Sequence, residues 1–146
     1  MRTAYRSYLF VTLLCALVAC GGGQQPAAPP APAGETVAID ADTSYSARGN
    51  AENGKALFAP CSACHHTTTE QLVGPGLAGL FSAVGPVLPA GVDYGGKLPN
   101  GKERTETNIA AWIREGGQGQ IGLMTPNNLN DQQMADLMAY LRTLKP

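Results

Sequence analysis

A chain of 146 residues has room for one domain plus appendages. Ten basic residues against eleven acidic ones give a formal charge of −1, which makes no electrostatic case for nucleic-acid binding. Four cysteines, two near the N-terminus and two within one short motif, leave none over for a disulfide framework.

Arg2 and Arg6 form a basic start, and Tyr8 to Val18 is an apolar run of eleven residues. That is signal-peptide length, well short of the roughly 20 residues a membrane-spanning helix needs. The run closes on Leu17-Val18-Ala19-Cys20, which resembles the lipobox of bacterial lipoproteins. The resemblance implies cleavage of residues 1–19, loss of Cys15 with them, and a Cys20 carrying diacylglyceryl and usually a third acyl chain. Two or three chains anchor stably where one does not, each buried CH₂ contributing about 0.8 kcal/mol. The alternative is an ordinary signal peptide cut nearby, with Cys20 incidental. Removing residues 1–19 takes two bases and no acids, so eight bases face eleven acids and the formal charge becomes −3.

Residues 20–47 read as the lipidated cysteine and a linker. Gly21-Gly22-Gly23-Gln24-Gln25 leads into Pro26-Ala27-Ala28-Pro29-Pro30-Ala31-Pro32-Ala33-Gly34. This is a flexible tether followed by a semi-rigid polyproline II spacer. Fully extended at about 3.1 Å per residue, residues 21–47 reach on the order of 80 Å, against about 30 Å for a flexible coil. Such a segment serves as a leash for a folded head or as a spacer that clears the lipid surface. Thr36-Val37-Ala38-Ile39 alternates briefly and suits a short strand or the linker equally.

The folded head is expected over residues 48–146. A helix is predicted from Asn50, its N-cap, to Ala59, with Pro60 ending or kinking it. Gly54 costs about 1 kcal/mol against alanine inside a helix. It makes sense where another helix crosses closely, and Phe58 lies at i+4 on the same face. Then comes Cys61-Ser62-Ala63-Cys64-His65, the C-x-x-C-H attachment signature of a c-type haem. Thiols at i and i+3 share one helical turn and reach two vinyl groups along one porphyrin edge. His65 then falls under the ring centre, where its imidazole can bind iron.

Other uses of these residues fit less well. A zinc site wants two more ligands at a distance, and no His or Cys follows His66. A thioredoxin-like pair sits at a βα junction and has no need of the histidine. A disulfide would close a very short loop. One haem also provides the apolar body that a small domain with nine aromatic residues otherwise lacks. His66 reads as a partly exposed surface residue.

Residues 81–104 read as a small hairpin or irregular loop packed on a haem edge, with a turn at Pro99-Asn100-Gly101-Lys102. Its tip suits a docking surface or is a plain insertion. A helix follows from about Thr105 to Glu115, with Ile109, Trp112 and Ile113 on one face and Gly116 as its stop. The last helix is capped by Asn130 or Asp131. Met134, Leu137, Met138, Leu141 and Leu144 form its apolar stripe, and Arg142 and Lys145 suit its C-terminal end.

Gly54-Lys55-Ala56-Leu57-Phe58 and Leu137-Met138-Ala139-Tyr140-Leu141-Arg142 resemble class I, mono-haem c-type cytochromes, and the resemblance spans residues 48 to 145. It implies an all-α cytochrome c fold, three to five short helices around one covalent haem c. The first and last helices would cross at Gly54, Phe58 and Tyr140. It places Gly74-Pro75-Gly76-Leu77 beneath His65, the Pro75 carbonyl accepting the imidazole N–H and so setting its orientation and basicity. Trp112 joins the haem pocket, and Met124 becomes the second axial ligand. Met124 stands after a glycine-rich loop that lets backbone approach a flat cofactor, whereas Met134 and Met138 belong to the apolar stripe. The family has Met followed directly by Pro; here Thr125 stands between Met124 and Pro126.

With both axial positions taken, the iron keeps no open site, so the resemblance implies electron transfer and not catalysis. A thioether ligand also raises the reduction potential. The implied partners are redox proteins in or on a respiratory or photosynthetic membrane, with no nucleic acid. The implied place is the periplasmic or extracytoplasmic side of the cell envelope, anchored at Cys20. Other readings remain open: a fixed haem subunit of a quinol-oxidising or oxidase complex, a haem enzyme or gas sensor with a labile distal ligand, and a non-haem lipoprotein with a simple disulfide.

Overall fold

A computed structural model describes residues 41–146; the leader, Cys20 and most of the expected linker lie outside the described residues. Helix α1 spans Ala51–Leu57 and begins where the Asn50 side chain accepts the N–H groups of Glu52 and Asn53. It stops at Phe58, short of the expected Ala59, because Pro60 starts a new turn. That turn is a 3₁₀ helix, Cys61–Ala63, hung from the Phe58 carbonyl by the N–H groups of Cys61 (2.9 Å) and Ser62 (3.1 Å).

Helix α2 spans Glu106–Glu115, with the Thr105 hydroxyl capping Asn108 N–H. Gly116, at φ 65°, closes it through its N–H on the Trp112 carbonyl. Helix α3 spans Asp131–Leu141, opened by a capping box between Asn130 and Gln133. The apolar stripe outruns the helix. Leu144 lies beyond its end, packed on the core, where its carbonyl takes Gly79 N–H at 2.9 Å.

Helices α1 and α3 cross at Gly54, as its cost inside a helix suggests. A Cβ there would run into the Asp136 carbonyl and lie 2.8 Å from Tyr140 Cβ. The Phe58 and Tyr140 rings pack beside it, centroids 5.6 Å apart and planes tilted 57°. Gly49 makes a second close approach, against the Ala135 backbone, which the sequence does not single out. Met134 and Met138 have no exposed surface and sit in the core with Phe58, Leu80, Ile109 and Leu137.

The folded chain reaches back past the boundary expected at 48. Asp42 is buried and accepts N–H groups from Ser44 and Thr107. Burial alone would raise its pKa, but hydroxyl and backbone donors of Ser44 and Thr107 outweigh that and hold it at about 2. Glu106 is wholly buried and accepts from Tyr45 N–H, Ser46 N–H, the Ser46 hydroxyl and Arg142 Nε. These bonds strap residues 42–48, including a 3₁₀ turn at Ser46–Arg48, onto α2 and the end of α3. A glutamate in the first turn of a helix reads locally as a partner for the helix dipole, so its tertiary role leaves no mark in the sequence.

Residues 81–104 take the irregular of the two expected forms and contain no strand. Gly95 and Gly96 both have positive φ, which a ladder does not accommodate. The expected turn is present: Gly101 N–H meets the Leu98 carbonyl and Leu98 N–H the Lys102 carbonyl, both at 2.8 Å. Arg104, only 3% exposed, gathers the segment by donating to the carbonyls of Leu80 (2.6 Å), Gly96 (2.6 Å), Ser82 (3.2 Å) and Ala83 (3.1 Å). Burial lowers its pKa, against the pull of Glu103. The hairpin lies elsewhere: β1, Gly117–Gln118, pairs antiparallel with β2, Leu123–Met124, Gly117 opposite Met124.

Candidate haem site

A cavity of about 360 Å³ is lined by Cys61, Cys64, His65, Pro75, Trp112 and Met124, along with apolar Phe58, Leu80, Leu98, Ile109, Leu137 and Leu141. Every site residue singled out in the described part of the sequence borders this one space. Cys20 lies outside the described residues.

The proximal side is built from adjacent backbone. His65 N–H donates to the Cys61 carbonyl (2.9 Å) and Gly74 N–H to the Cys64 carbonyl (2.8 Å), which folds the 74–77 loop back on the motif. His65 Nδ1 lies 2.8 Å from the Pro75 carbonyl. A carbonyl only accepts, so Nδ1 carries the proton and Nε2 keeps the lone pair. Gly74 presses on the imidazole: a Cβ there would lie 2.9 Å from Nδ1 and 3.0 Å from Nε2. Only glycine fits, which fixes the ring between backbone and cavity.

Cys61 and Cys64 are both free thiols. Burial pushes the Cys61 thiol up, and the neighbouring Cys64 adds to the shift. Among the described residues, no group of three or more His, Cys, Asp or Glu side chains converges to hold a metal ion.

The distal side is assembled from distant parts. Met124 ends β2, half-buried against the core. The two glycines at the start of the hairpin, Gly116 just before β1 and Gly117 within it, have packing reasons. A Cβ on Gly116 would come 2.8 Å from Pro126 N, and one on Gly117 would come 2.6 Å from two atoms of the Trp112 ring. The indole of α2 therefore lies directly on β1. Asn127 N–H then ties the chain to the Ile113 carbonyl at 2.9 Å. The hairpin delivers Met124 to the cavity despite the intervening Thr125. His66 is half-buried and does not line the cavity.

Tyr94, Lys97 and Arg104 also line it and were not singled out from sequence. Tyr94 and Lys97 sit in a stretch without period. A lone arginine ahead of a helix cap reads locally as solvated. No signal in the sequence marks them.

A covalent haem fits what is here. Two free thiols at i and i+3, an imidazole with its lone pair on the nitrogen not held by Pro75, and a thioether surround an apolar space that no side chain fills.

The cytochrome c family profile matches residues 51–145. The chain therefore belongs to the cytochrome c family, as a class I c-type cytochrome. It is similar to the "Cytochrome c-553-like" protein of Synechocystis sp., 30% identical over 98 residues, which cover 66% of this chain and 71% of that protein. The fold is like that of cytochrome c2 from Rhodospirillum Centenum, with a TM-score of 0.50 and 24% identity over 67% of this chain and 100% of that one. As a family member it binds one covalent haem c and transfers electrons. No helix among the described residues is long and apolar enough to cross a membrane.

Proposed function

We propose that this is a membrane-tethered, single-electron carrier and not an enzyme. In this reading Cys61 and Cys64 would hold the haem through thioethers, and His65 and Met124 would supply ligands to its iron. The observation that carries it is that His65 and Met124 border one cavity while Met134 and Met138 are wholly buried outside it. Bound haem supplies a one-electron ferric–ferrous couple. The Pro75 carbonyl orients the imidazole and raises its basicity. The Met124 thioether, a soft ligand, favours the ferrous state. Trp112 and the aliphatic lining exclude water and lower the local dielectric.

The leader at residues 1–19, lipidation of Cys20 and a linker to residue 47 are supported by Leu17-Val18-Ala19-Cys20 and the Gly/Pro/Ala composition that follows. They put the domain on the extracytoplasmic side of a membrane, exchanging electrons with redox proteins in or on it. Mass spectrometry of the mature chain is expected to find an acylated Cys20 at its N-terminus; a soluble form starting elsewhere would defeat the tether.

The ligand assignment is tested by spectroscopy of the ferric protein. Met124→Ala should abolish the weak sulfur-to-iron charge-transfer band, lower the potential and open the ferrous iron to carbon monoxide. Met134→Leu and Met138→Leu should keep the band and cost under about 1.5 kcal/mol each. A band that survives Met124→Ala but vanishes with either core substitution rejects the assignment.

A further inference from the structure

We propose that Tyr94 is a positioning residue for Met124, a latch by which the irregular segment 81–104 holds down the tip of the β1–β2 hairpin. The proposal rests on Met124 being the axial ligand. Each strand of that hairpin has two residues, and an isolated two-stranded hairpin is marginal in water. Its stiffness must therefore come from what it touches. At the base, Gly117 lies on the Trp112 ring and Gly116 against Pro126. At the tip, the support comes from the 81–104 segment.

Tyr94 Oη accepts Gln120 N–H at 2.8 Å and Ile121 N–H at 3.3 Å. Gly119 is backed onto the same oxygen so closely that a Cβ would lie 2.7 Å from Oη and 3.1 Å from Pro99 Cβ. Gln120 Nε2 donates in return to the Asp93 carbonyl at 2.9 Å. Within the tip itself, Gly119 N–H reaches the Gly122 carbonyl at 2.9 Å. One phenol oxygen thus supplies acceptors for two successive amides of a turn whose next strand ends in Met124. The same tyrosine borders the cavity, so the latch sits beside the haem site. A neutral thioether is a soft ligand and binds harder ferric iron weakly. Retention of Met124 in the oxidised protein then depends on how rarely the hairpin lifts, and Tyr94 sets that frequency.

The test uses the full-length ferric holoprotein with imidazole as the incoming ligand. Tyr94→Phe keeps the ring and removes the acceptor. It should leave the charge-transfer band present at equilibrium and speed displacement by imidazole about threefold to tenfold, as expected for one or two modest hydrogen bonds. Amide-exchange protection at Gln120 and Ile121 should fall with it, a readout that does not pass through the iron. Ser82→Ala is the control. It loosens the far end of the 81–104 segment by removing the hydroxyl that accepts Gly85 N–H, away from the Tyr94 and Pro99 contacts with the hairpin tip. It should exchange at the parent rate; equal acceleration in both variants would make the segment generic packing and overturn the latch. A parent-like rate and unchanged protection in Tyr94→Phe, with Met124→Ala still abolishing the band, would overturn the latch and leave the ligand standing. A band that persists in Met124→Ala would overturn both.

Discussion

The helical frame with its proximal turn and the distal wall of residues 81–104 and 117–124 border the same cavity but are held by different kinds of contact. In the frame, backbone meets backbone at the crossings, and the Asp42 and Glu106 side chains fasten the strap to it. Gly54 and Gly49 bring α1 and its lead-in onto α3, and the motif closes on the 74–77 loop through amide-to-carbonyl bonds of 2.8–2.9 Å. The distal wall instead depends on a few long side chains reaching loop backbone. Arg104 holds four carbonyls, and Tyr94 holds two amides. Many short-range contacts fail together, whereas a wall hung from single side chains fails locally. The frame should therefore unfold as one unit, and the wall should open ahead of it.

The largest expected effect tests the frame. Glu106→Ala removes the acceptor shared by Tyr45, Ser46 and Arg142 and leaves the guanidinium without a carboxylate, hydrogen-bonded only to the Asp42 carbonyl. The cost should be about 3 kcal/mol, the lower end for breaking a buried ion pair, because Arg142 keeps some access to water. Urea unfolding followed by helicity and by haem absorbance should shift by the same amount. Separate shifts would mean that the frame is not one unit.

Arg104→Met tests the wall at a smaller scale. Four carbonyls lose a charged donor, and about 2 kcal/mol should disappear locally as water reaches them. Hydrogen exchange should quicken across residues 80–96 while α1 and α3 keep their protection. Loss of protection in step throughout would erase the distinction between the two regions.

The smallest effect is acid sensitivity at the strap. The Asp42 pKa falls from 3.8 to about 2 on folding. A depressed carboxyl contributes stability above its unfolded pKa and loses it as pH falls through the folded one. Asp42→Asn should therefore be less stable than the parent by about 1–2 kcal/mol above roughly pH 4, with the gap closing towards pH 2. An equal deficit at both ends of that range would mean that shape, not charge, holds the strap.

The same division explains what the sequence discloses. Cys61, Cys64 and His65 are adjacent in the chain, and α3 has a helical period, so both are legible in the sequence alone. Gly54 is legible because its cost in a helix demands a reason. Pro75 and Met124 needed the family resemblance to suggest their places. Asp42, Glu106, Arg104 and Tyr94 each work through a bond to a residue 24 to 65 positions away, and such bonds impose no period and no composition. A hairpin is one of two forms that suit the glycine-rich stretch 81–104, and positive φ at Gly95 and Gly96 decides for the irregular one.

The strap has a mechanical consequence. Residues 41–57 do not line the cavity, and the chain reaching α1 is first fastened at Asp42 to Thr107, at Tyr45 and Ser46 to Glu106, and at Asn50 N–H to Asp136 (2.7 Å). A pull on anything upstream of Asp42 is borne by α2 and α3 in shear before it reaches the turn carrying Cys61 and His65. Tension from the N-terminal side therefore enters the fold at the strap and not at the turn carrying Cys61 and Cys64.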